Sequence, residues 1–328
     1  MLDFLAQYSL FLLETITLMI AILFVFAGLL GIASKNKANG GSGTLKIKQL
    51  NEKYQEAAHE LTMAIMPKKQ AKQRLKAEKK ADKEREHTRG RKIFVLHFDG
   101  DIRASAVDNL RQEITAILTI AKDTDEVVVC LKSPGGVVHT YGLAASQLQR
   151  IVDANIHLTV AVDEIAASGG YLMASVAHRI IAAPFAIIGS IGVVAQLPNF
   201  HRWLKKHNID VEQITAGKYK RTLTVLGENT REARDKFQQQ LEDIHALFKT
   251  FVGKNRPAVD LAQVATGEYW LAAQALELKL VDTLQTSDDY LLHASEEADL
   301  YEVRYQCKKS LKEKFNKMAH AVLSPLGI

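Results

Sequence analysis

Two short turns in the middle of the chain carry residues that suit acyl-transfer chemistry. The first is Ser133-Pro134-Gly135-Gly136, which directly follows EVVVCL, an apolar run typical of a buried strand. Glycines let another backbone approach closely and leave N–H groups free for a ligand. Because ligands bind at the carboxyl ends of strands in an α/β sheet, this turn is a candidate site. An ordinary β–α turn is the alternative interpretation.

The second turn, at residues 166–170 (AASGG), follows the predicted strand HLTVAV. It places Ser168 at the start of a predicted helix, between residues too small to block access. The N–H groups and positive potential of a helix N-terminus suit an oxyanion. Ser168 is therefore a candidate nucleophile, and the alternative is a serine that only caps the helix.

A serine nucleophile needs a general base. The candidate histidines, at positions 97, 139, 157 and 178, have no evident acidic partner, although distance along the chain does not exclude a triad. A lysine can also serve if its pKa of about 10.4 falls by roughly three units, which burial can achieve. Lys218 and Lys220, in TAGKYKRTLTV, lie close to apolar residues. On the residues alone, a surface position is the stronger interpretation for both.

From Lys92 onward, apolar patterns typical of strands and helices alternate. IFVLHF, EVVVCL and HLTVAV predict buried strands, and apolar residues at helical spacing fall between them. This β-α-β-α-β order predicts an α/β domain with a largely parallel sheet. Further on, VEQIT favours another strand, and Asn229 is placed to cap a helix beginning at Thr230. The apolar stripe of that helix suits either core or subunit packing and comprises Phe237, Leu241, Ile244, Phe248 and Phe251.

The N-terminal region is organised differently. Residues 15–33 form an uncharged apolar run long enough to cross a bilayer, and the chain start lacks the basic residues of a cleaved signal peptide. We therefore expect an uncleaved transmembrane anchor over residues 1–34. A Gly/Ser-rich linker and a Lys-rich, helical spacer follow over 35–91, then the α/β domain over 92–290 and a basic tail over 291–328.

Positive charge is concentrated in that spacer. Twelve Lys/Arg and four acidic residues lie between Pro67 and Lys92, whereas the rest of the chain is close to neutral. A solvated helix or disordered spacer is one interpretation, and contact with anionic lipid headgroups is the other. The net charge of +5 gives no reason to expect nucleic-acid binding. Cys130 and Cys307 show no spacing typical of a zinc site or a disulfide framework.

Four motifs follow one another along the chain: SPGG at 133–136, ASGGY at 167–171, GSIGV at 189–193 and GKYK at 217–220. In this order they resemble the signal peptide peptidase A family, whose members are Ser/Lys-dyad serine peptidases with a ClpP/crotonase-like fold. The similarity extends to a segment ending near residue 284. The anchor, the basic spacer and the KRTLT…GENT run are similar to the SohB-like branch.

The resemblance implies a role for each matching residue. Ser168 matches the nucleophile, Lys220 the general base and Ser190 the serine that orients this lysine. Gly136 and Gly169 match the positions whose N–H groups form the oxyanion hole. No metal or cofactor is implied.

Two residues beside the predicted base leave alternatives open. Arg221 stands where many family members carry an acidic residue, and Lys218 is a second candidate base.

Two other functions also remain: a catalytically inactive, membrane-tethered scaffold, and a crotonase-type acyl-CoA enzyme. The intact set of Ser168, Ser190 and Lys220 argues against the first, and the ASGG and GKYK motifs together with the anchor argue against the second.

The resemblance also implies partners and a location. We expect a homo-oligomer, a ring or dome such as an octamer, whose substrates are apolar peptides from signal peptides or membrane proteins. We expect a single-pass protein of the bacterial inner membrane. The lysines at positions 35, 37, 46 and 48 favour a cytoplasmic catalytic domain by the positive-inside rule, whereas the family resemblance favours the periplasm.

Overall fold

The computed structural model describes residues 7, 10–19, 43–86 and 90–306. Residues 45–305 form one compact unit. Residues 10–19 are helical and exposed, and most of the predicted anchor lies outside the described residues, as does the predicted tail beyond residue 306. Within the part of the chain that the structure describes, no helix is both long and apolar enough to span a bilayer.

Two sheets organise the compact unit. The strands are β1 (Thr44–Gln49), β2 (Lys92–Asp99), β3 (Glu126–Lys132), β4 (His157–Val162), β5 (Ile165–Ala167), β6 (Arg179–Ala182), β7 (Ile187–Gly189), β8 (Tyr269–Leu271), β9 (Thr283–Leu284) and β10 (Asp299–Gln306). The larger sheet has the order β1-β10-β2-β3-β4-β6-β9, and its pairs from β10 to β9 are parallel. In the smaller sheet, β7 pairs in parallel with β5 and antiparallel with β8.

Helices cover both faces of the larger sheet. They are α1 (Leu50–Ile65), α2 (Lys68–Glu86), α3 (Val107–Leu118), α4 (Val138–Asp153), α5 (Gly169–Ala174), α6 (His201–Lys206), α7 (Arg231–Asn255), α8 (Leu261–Val264), α9 (Ala272–Glu277) and α10 (Ser287–Glu297). Alternate residues of β2 point to opposite faces. Phe94 and Leu96 belong to a large core with residues of α3 and α4, whereas Ile93 packs with Leu50 and Leu291. Burial on both faces explains why the strands are apolar throughout.

The predicted α/β class with a largely parallel sheet is confirmed, and this sheet fits the ClpP-like domain that the resemblance implies. The sheet also extends beyond the predicted boundaries of 92–290, because β1 and β10 belong to it. Asn51 of α1 joins these added elements: its Nδ2 donates to the Ala298 carbonyl at 3.0 Å and its Oδ1 accepts from the Leu300 N–H at 2.8 Å. The sequence DLYEVRYQ, which forms β10, gives only a weak strand signal because Leu300 and Val303 are its two buried residues. It therefore falls within the predicted C-terminal tail.

The prediction of a strand at VEQIT is wrong, since residues 208–230 have no regular secondary structure. The predicted cap is also displaced by one residue. Thr230, rather than Asn229, precedes α7, and its hydroxyl accepts from the Ala233 N–H at 3.2 Å. Asn229 instead closes the preceding loop, because its side chain bonds both the N–H and the carbonyl of Thr224.

Candidate active site

The two turns singled out in the sequence meet at the carboxyl end of β3. Ser133 forms a parallel bridge with Ala166 of β5. Its N–H donates to the Ile165 carbonyl at 2.8 Å, and its carbonyl accepts from the Ala167 N–H at 3.0 Å. The turn at 133–136 therefore lies directly beside Ser168.

Ser168 has a backbone conformation that few non-glycine residues adopt. Its φ is 52° and its ψ is −119°, at a cost on the order of 1–3 kcal/mol. Its N–H donates to the Gly189 carbonyl at 2.8 Å, and its carbonyl accepts from the Leu172 N–H at 2.9 Å. Its hydroxyl makes no capping bond to α5, which argues against a purely structural cap. The half-buried Ser168 thus has a backbone fixed by two hydrogen bonds and a hydroxyl left available for chemistry.

Two backbone N–H groups beside Ser168 could also bind a ligand. Among the described residues, neither the Gly136 N–H nor the Gly169 N–H donates to a protein acceptor. Gly135 brings the two turns together, with a φ of 86°. A Cβ atom added to it would lie 2.7 Å from the Gly169 nitrogen and 2.8 Å from the Ser168 Cβ. The close approach of the two turns therefore depends on a glycine at this position.

Ser190 lies at the end of the strand next to the one that leads to Ser168. In the parallel register of β5 and β7, Ala167 is opposite Gly189, so both serines immediately follow a paired residue. Ser190 also has a positive φ, of 51°. Its N–H donates to the Glu268 carbonyl at 2.7 Å. The smaller sheet thus holds Ser168 and Ser190 side by side at the carboxyl ends of two parallel strands.

Lys220 is not joined to these serines. It lies in the irregular segment 208–230 and is exposed, and its N–H closes a turn with the Gly217 carbonyl at 3.1 Å. Within the described residues, its Nζ forms no hydrogen bond with Ser168 or Ser190. The structure therefore brings the two serines and the two glycines together, and leaves the predicted base apart.

Lys218, the alternative base, is engaged with other groups. Its Nζ lies 2.8 Å from Glu232 Oε1 and 5.1 Å from the centre of the Tyr219 ring. The hydrogen bond to Glu232, with a smaller contribution from Tyr219, raises the pKa of Lys218. A lysine held protonated by a carboxylate is a poor proton acceptor, so this geometry disfavours Lys218 as the base.

None of the four candidate histidines hydrogen-bonds the Ser168 hydroxyl in the described part of the chain. His97 Nε2 pairs with Glu302 at 3.0 Å, and burial lowers the pKa of His97. His178 stacks on His157 with ring centres 5.0 Å apart, while its Nδ1 accepts a backbone N–H at 3.0 Å. Burial, then the charge of His157, lowers the pKa of His178. These contacts do not build a Ser-His-Asp triad.

The structure adds a residue that sequence reasoning did not single out. Tyr141 of α4 is fully buried beneath the 133–136 turn, with its hydroxyl 2.6 Å from Ser133 Oγ. In the sequence it is one tyrosine at the start of an amphipathic helix. Its position eight residues after Ser133 was the available signal, because a helix that starts behind a turn directs its first side chains back toward that turn.

Comparison with known proteins identifies the class of protein to which the chain belongs. The sequence model described as "Peptidase family S49 N-terminal" matches residues 3–148, and that of "Peptidase family S49" matches residues 150–301. With the relatives described next, these matches show that the chain belongs to peptidase family S49. It is a serine peptidase, and therefore a hydrolase, as the sequence predicted.

The particular branch follows from two relatives that are similar over most of their length. The chain is 49% identical to the "Probable protease SohB" of Haemophilus influenzae over 331 residues, which covers 97% of this chain and 93% of that protein. It is 46% identical to the "Probable protease SohB" of Buchnera aphidicola subsp. Schlechtendalia chinensis, over 88% of this chain and 99% of that protein. The predicted SohB-like branch of the family is confirmed.

Proposed function

We propose that the chain is a membrane-anchored endopeptidase that cleaves apolar peptides through a Ser168–Lys220 dyad. The observation that carries this proposal is the backbone of Ser168. Its strained conformation presents a hydroxyl that makes no capping bond, and beside it lie the N–H groups of Gly136 and Gly169, which donate to no acceptor among the described residues. A nucleophile next to two preorganised donors is the arrangement that acyl transfer requires.

The proposed reaction passes through an acyl-enzyme. The Lys220 amine accepts the Ser168 hydroxyl proton while Oγ attacks the scissile carbonyl, and the N–H groups of Gly136 and Gly169 stabilise the oxyanion. Each donor contributes roughly 3 kcal/mol. Lys220 then passes its proton to the leaving amine, and a water molecule hydrolyses the ester. In this scheme the Ser190 hydroxyl orients the lysine.

Apolar residues beside the turn support the proposed substrate class. Ile102 and Val138 are both exposed. They lie beside Gly136, because the Val137 N–H donates a hydrogen bond to the Ile102 carbonyl at 2.8 Å. An extended peptide bound next to Ser168 would cover these side chains. We therefore propose signal-peptide remnants and fragments of membrane proteins as substrates.

The dyad further requires that Lys220 become covered. A lysine accepts protons near neutral pH when burial disfavours its charged form, yet Lys220 is exposed. The segment 194–226, which contains Lys220, exposes large apolar side chains, which are Val194, Leu197, Phe200, Trp203, Ile209, Val211, Ile214, Tyr219 and Leu226. A patch of this kind indicates a contact surface. We propose that a second copy covers it in a ring or dome and that assembly brings the base and the nucleophile together.

The proposed membrane attachment rests on the sequence of residues 15–33. A single helix over this run would tether the peptidase to the bacterial inner membrane, close to apolar peptides left in the bilayer. The lysines that follow the run favour the cytoplasmic side, and the family resemblance favours the periplasm. Trypsin added to spheroplasts distinguishes the two, because only a periplasmic domain is cleaved.

Fluorophosphonate labelling of the purified protein tests the nucleophile. We expect wild type to be labelled and to degrade casein, and Ser168→Ala to do neither while keeping the wild-type circular dichroism spectrum. Labelling of Ser168→Ala would assign the nucleophile to another residue. Complete inertness of assembled wild type would favour the inactive scaffold, and thioester turnover without peptide turnover would favour a crotonase-type enzyme.

Assembly and attachment are tested on one preparation. We expect the protein to stay in the membrane fraction after a carbonate wash. In detergent, light scattering should give a protein mass that is a multiple of the 36.4 kDa of one chain. Ile214→Asp should reduce the mass to that of one chain and abolish labelling. Ile120→Asp, at an exposed apolar residue outside the segment, is the matched control. A fully labelled single chain would contradict the assembly proposal.

A further inference from the structure

We propose that Ser133 and Tyr141 are positioning residues that orient the Gly136 N–H toward the Ser168 hydroxyl. This inference rests on the proposed oxyanion role of Gly136 and adds two residues to that site. Both Ser133 and Tyr141 are 0% exposed, and their hydroxyl oxygens lie 2.6 Å apart. The role of this buried hydroxyl pair follows from the groups to which its remaining hydrogen bonds lead.

The hydrogen bonds of this pair have one consistent direction. The Tyr141 hydroxyl donates to the Asp101 carbonyl at 2.7 Å, so its single proton is used there. The Ser133 hydroxyl therefore donates to the Tyr141 oxygen, and Ser133 Oγ accepts from the Gly135 N–H at 3.1 Å. A continuous path thus runs from the Gly135 N–H to the Asp101 carbonyl through both hydroxyls. In a dry interior such connected bonds restrict movement strongly.

This path fixes one side of Gly136, and a second bond fixes the other. The Val137 N–H donates to the Ile102 carbonyl at 2.8 Å. A Cβ atom added to Gly136 would clash with that carbonyl oxygen, which shows that the turn packs directly against the Ile102 backbone. Both neighbouring N–H groups of the turn are therefore bonded, and the Gly136 N–H is the one left free among them. Its direction follows from the bonds on either side.

Tyr141 also contacts the second proposed donor. A Cβ atom added to Gly169 would lie 2.4 Å from Tyr141 Cγ, which shows that the ring packs directly against this residue. The ring thus supports the Gly169 backbone, while the hydroxyl holds the turn that contains Gly136. One side chain sets the spacing between the two N–H groups that would bind the oxyanion. Loss of the hydroxyl should leave the ring contact intact and release the turn.

The test compares Tyr141→Phe and Ser133→Ala with wild type in the full-length assembled protein. Fluorophosphonate saturation kinetics separates reversible binding, KI, from the bond-forming step, kinact. We expect kinact to fall at least about tenfold in each variant, with KI changed by no more than about twofold. Because the two hydroxyls act through one path, the double variant should lose no more than the more damaged single variant.

Tyr171→Phe is the matched control. Tyr171 is also fully buried, and its hydroxyl donates to the Leu280 carbonyl at 3.0 Å, away from the 133–136 turn. The control removes one buried hydrogen bond as well, so its kinact should stay within about twofold of wild type while its melting temperature falls. If kinact and melting temperature fall by similar amounts in Tyr141→Phe and Tyr171→Phe, the fall in kinact is explained by lost stability. That result would overturn the positioning role.

Two further outcomes separate this inference from the proposed function. If Ser168→Ala is inert and Tyr141→Phe reacts with wild-type kinact, the nucleophile stands and the positioning role is wrong. If Ser168→Ala is labelled, the proposed function fails before Tyr141 is considered. Should Tyr141→Phe not fold, Ser133→Ala decides the question, since it removes the same path by deleting a single oxygen atom.

Discussion

Lys220→Ala is expected to lower the fluorophosphonate labelling rate at least about 10³-fold, close to the loss in Ser168→Ala. Without a proton acceptor the serine hydroxyl stays protonated, and a neutral hydroxyl is a weak nucleophile. Lys220 is exposed in the described chain, so truncation removes no core packing. The variant should therefore keep the circular dichroism spectrum, melting temperature and oligomer mass of wild type, and the loss can then be assigned to chemistry.

Lys218→Ala is the control for that experiment. It lies two residues away, has the same side chain and is also exposed. Its carboxylate partner Glu232 raises the pKa of Lys218, which keeps it protonated and unable to accept the serine proton. We expect its labelling rate to stay within about threefold of wild type, because an exposed ion pair contributes little to stability. A reversed result, with Lys218→Ala inert and Lys220→Ala active, would move the base to Lys218.

The position of Lys220 also determines which form of the protein must be assayed. The proposed nucleophile and the two proposed oxyanion donors lie together within one chain, whereas the proposed base lies on an exposed apolar segment. If assembly covers that segment, labelling should follow the assembled fraction rather than total protein. A dilution series that leaves the labelling rate per chain constant while the assembly dissociates would contradict this dependence.

The sequence predicted the parts of the fold that bury apolar residues in regular patterns. The runs IFVLHF, EVVVCL and HLTVAV became neighbouring parallel strands, because short continuous apolar runs are typical of strands buried on both faces. β10 was missed because two buried residues among eight give no clear period. The loop around VEQIT was misassigned because its apolar side chains are exposed in the chain, and a sequence does not say which surface covers them.

The candidate site was predictable to a similar extent. Small residues after strands indicated the turns at 133–136 and 166–170, and the structure brings them together. The positive φ of Ser168 could not be predicted, because it occurs where the Ser168 N–H bonds the Gly189 carbonyl, a contact between strands that are distant in the sequence. Tyr141 was missed for a related reason: a buried hydroxyl is informative only once its partners are known.

Gly135→Ala should be the most damaging single change within the two turns, apart from the proposed nucleophile Ser168 itself. An alanine at a φ of 86° costs about 1–2 kcal/mol in backbone strain. Its Cβ would also lie 2.7 Å from the Ala167 oxygen and from the Gly169 nitrogen, and 2.8 Å from the Ser168 Cβ. Two of these three atoms are backbone, so the turns must separate. We expect kinact to fall about 10²-fold, because the Gly136 N–H moves away from the oxyanion.

Gly267→Ala separates strain from crowding in that result. Gly267 has a φ of 90°, but a Cβ added there would meet no atom within 4 Å. The melting temperature of Gly267→Ala should fall by about as much as that of Gly135→Ala, whereas its kinact should stay within about threefold of wild type. Equal losses of kinact in both variants would show that backbone strain alone is responsible. A large loss confined to Gly135→Ala would mean that the spacing between the two turns controls the reaction, as the contacts of Ser133 and Tyr141 require.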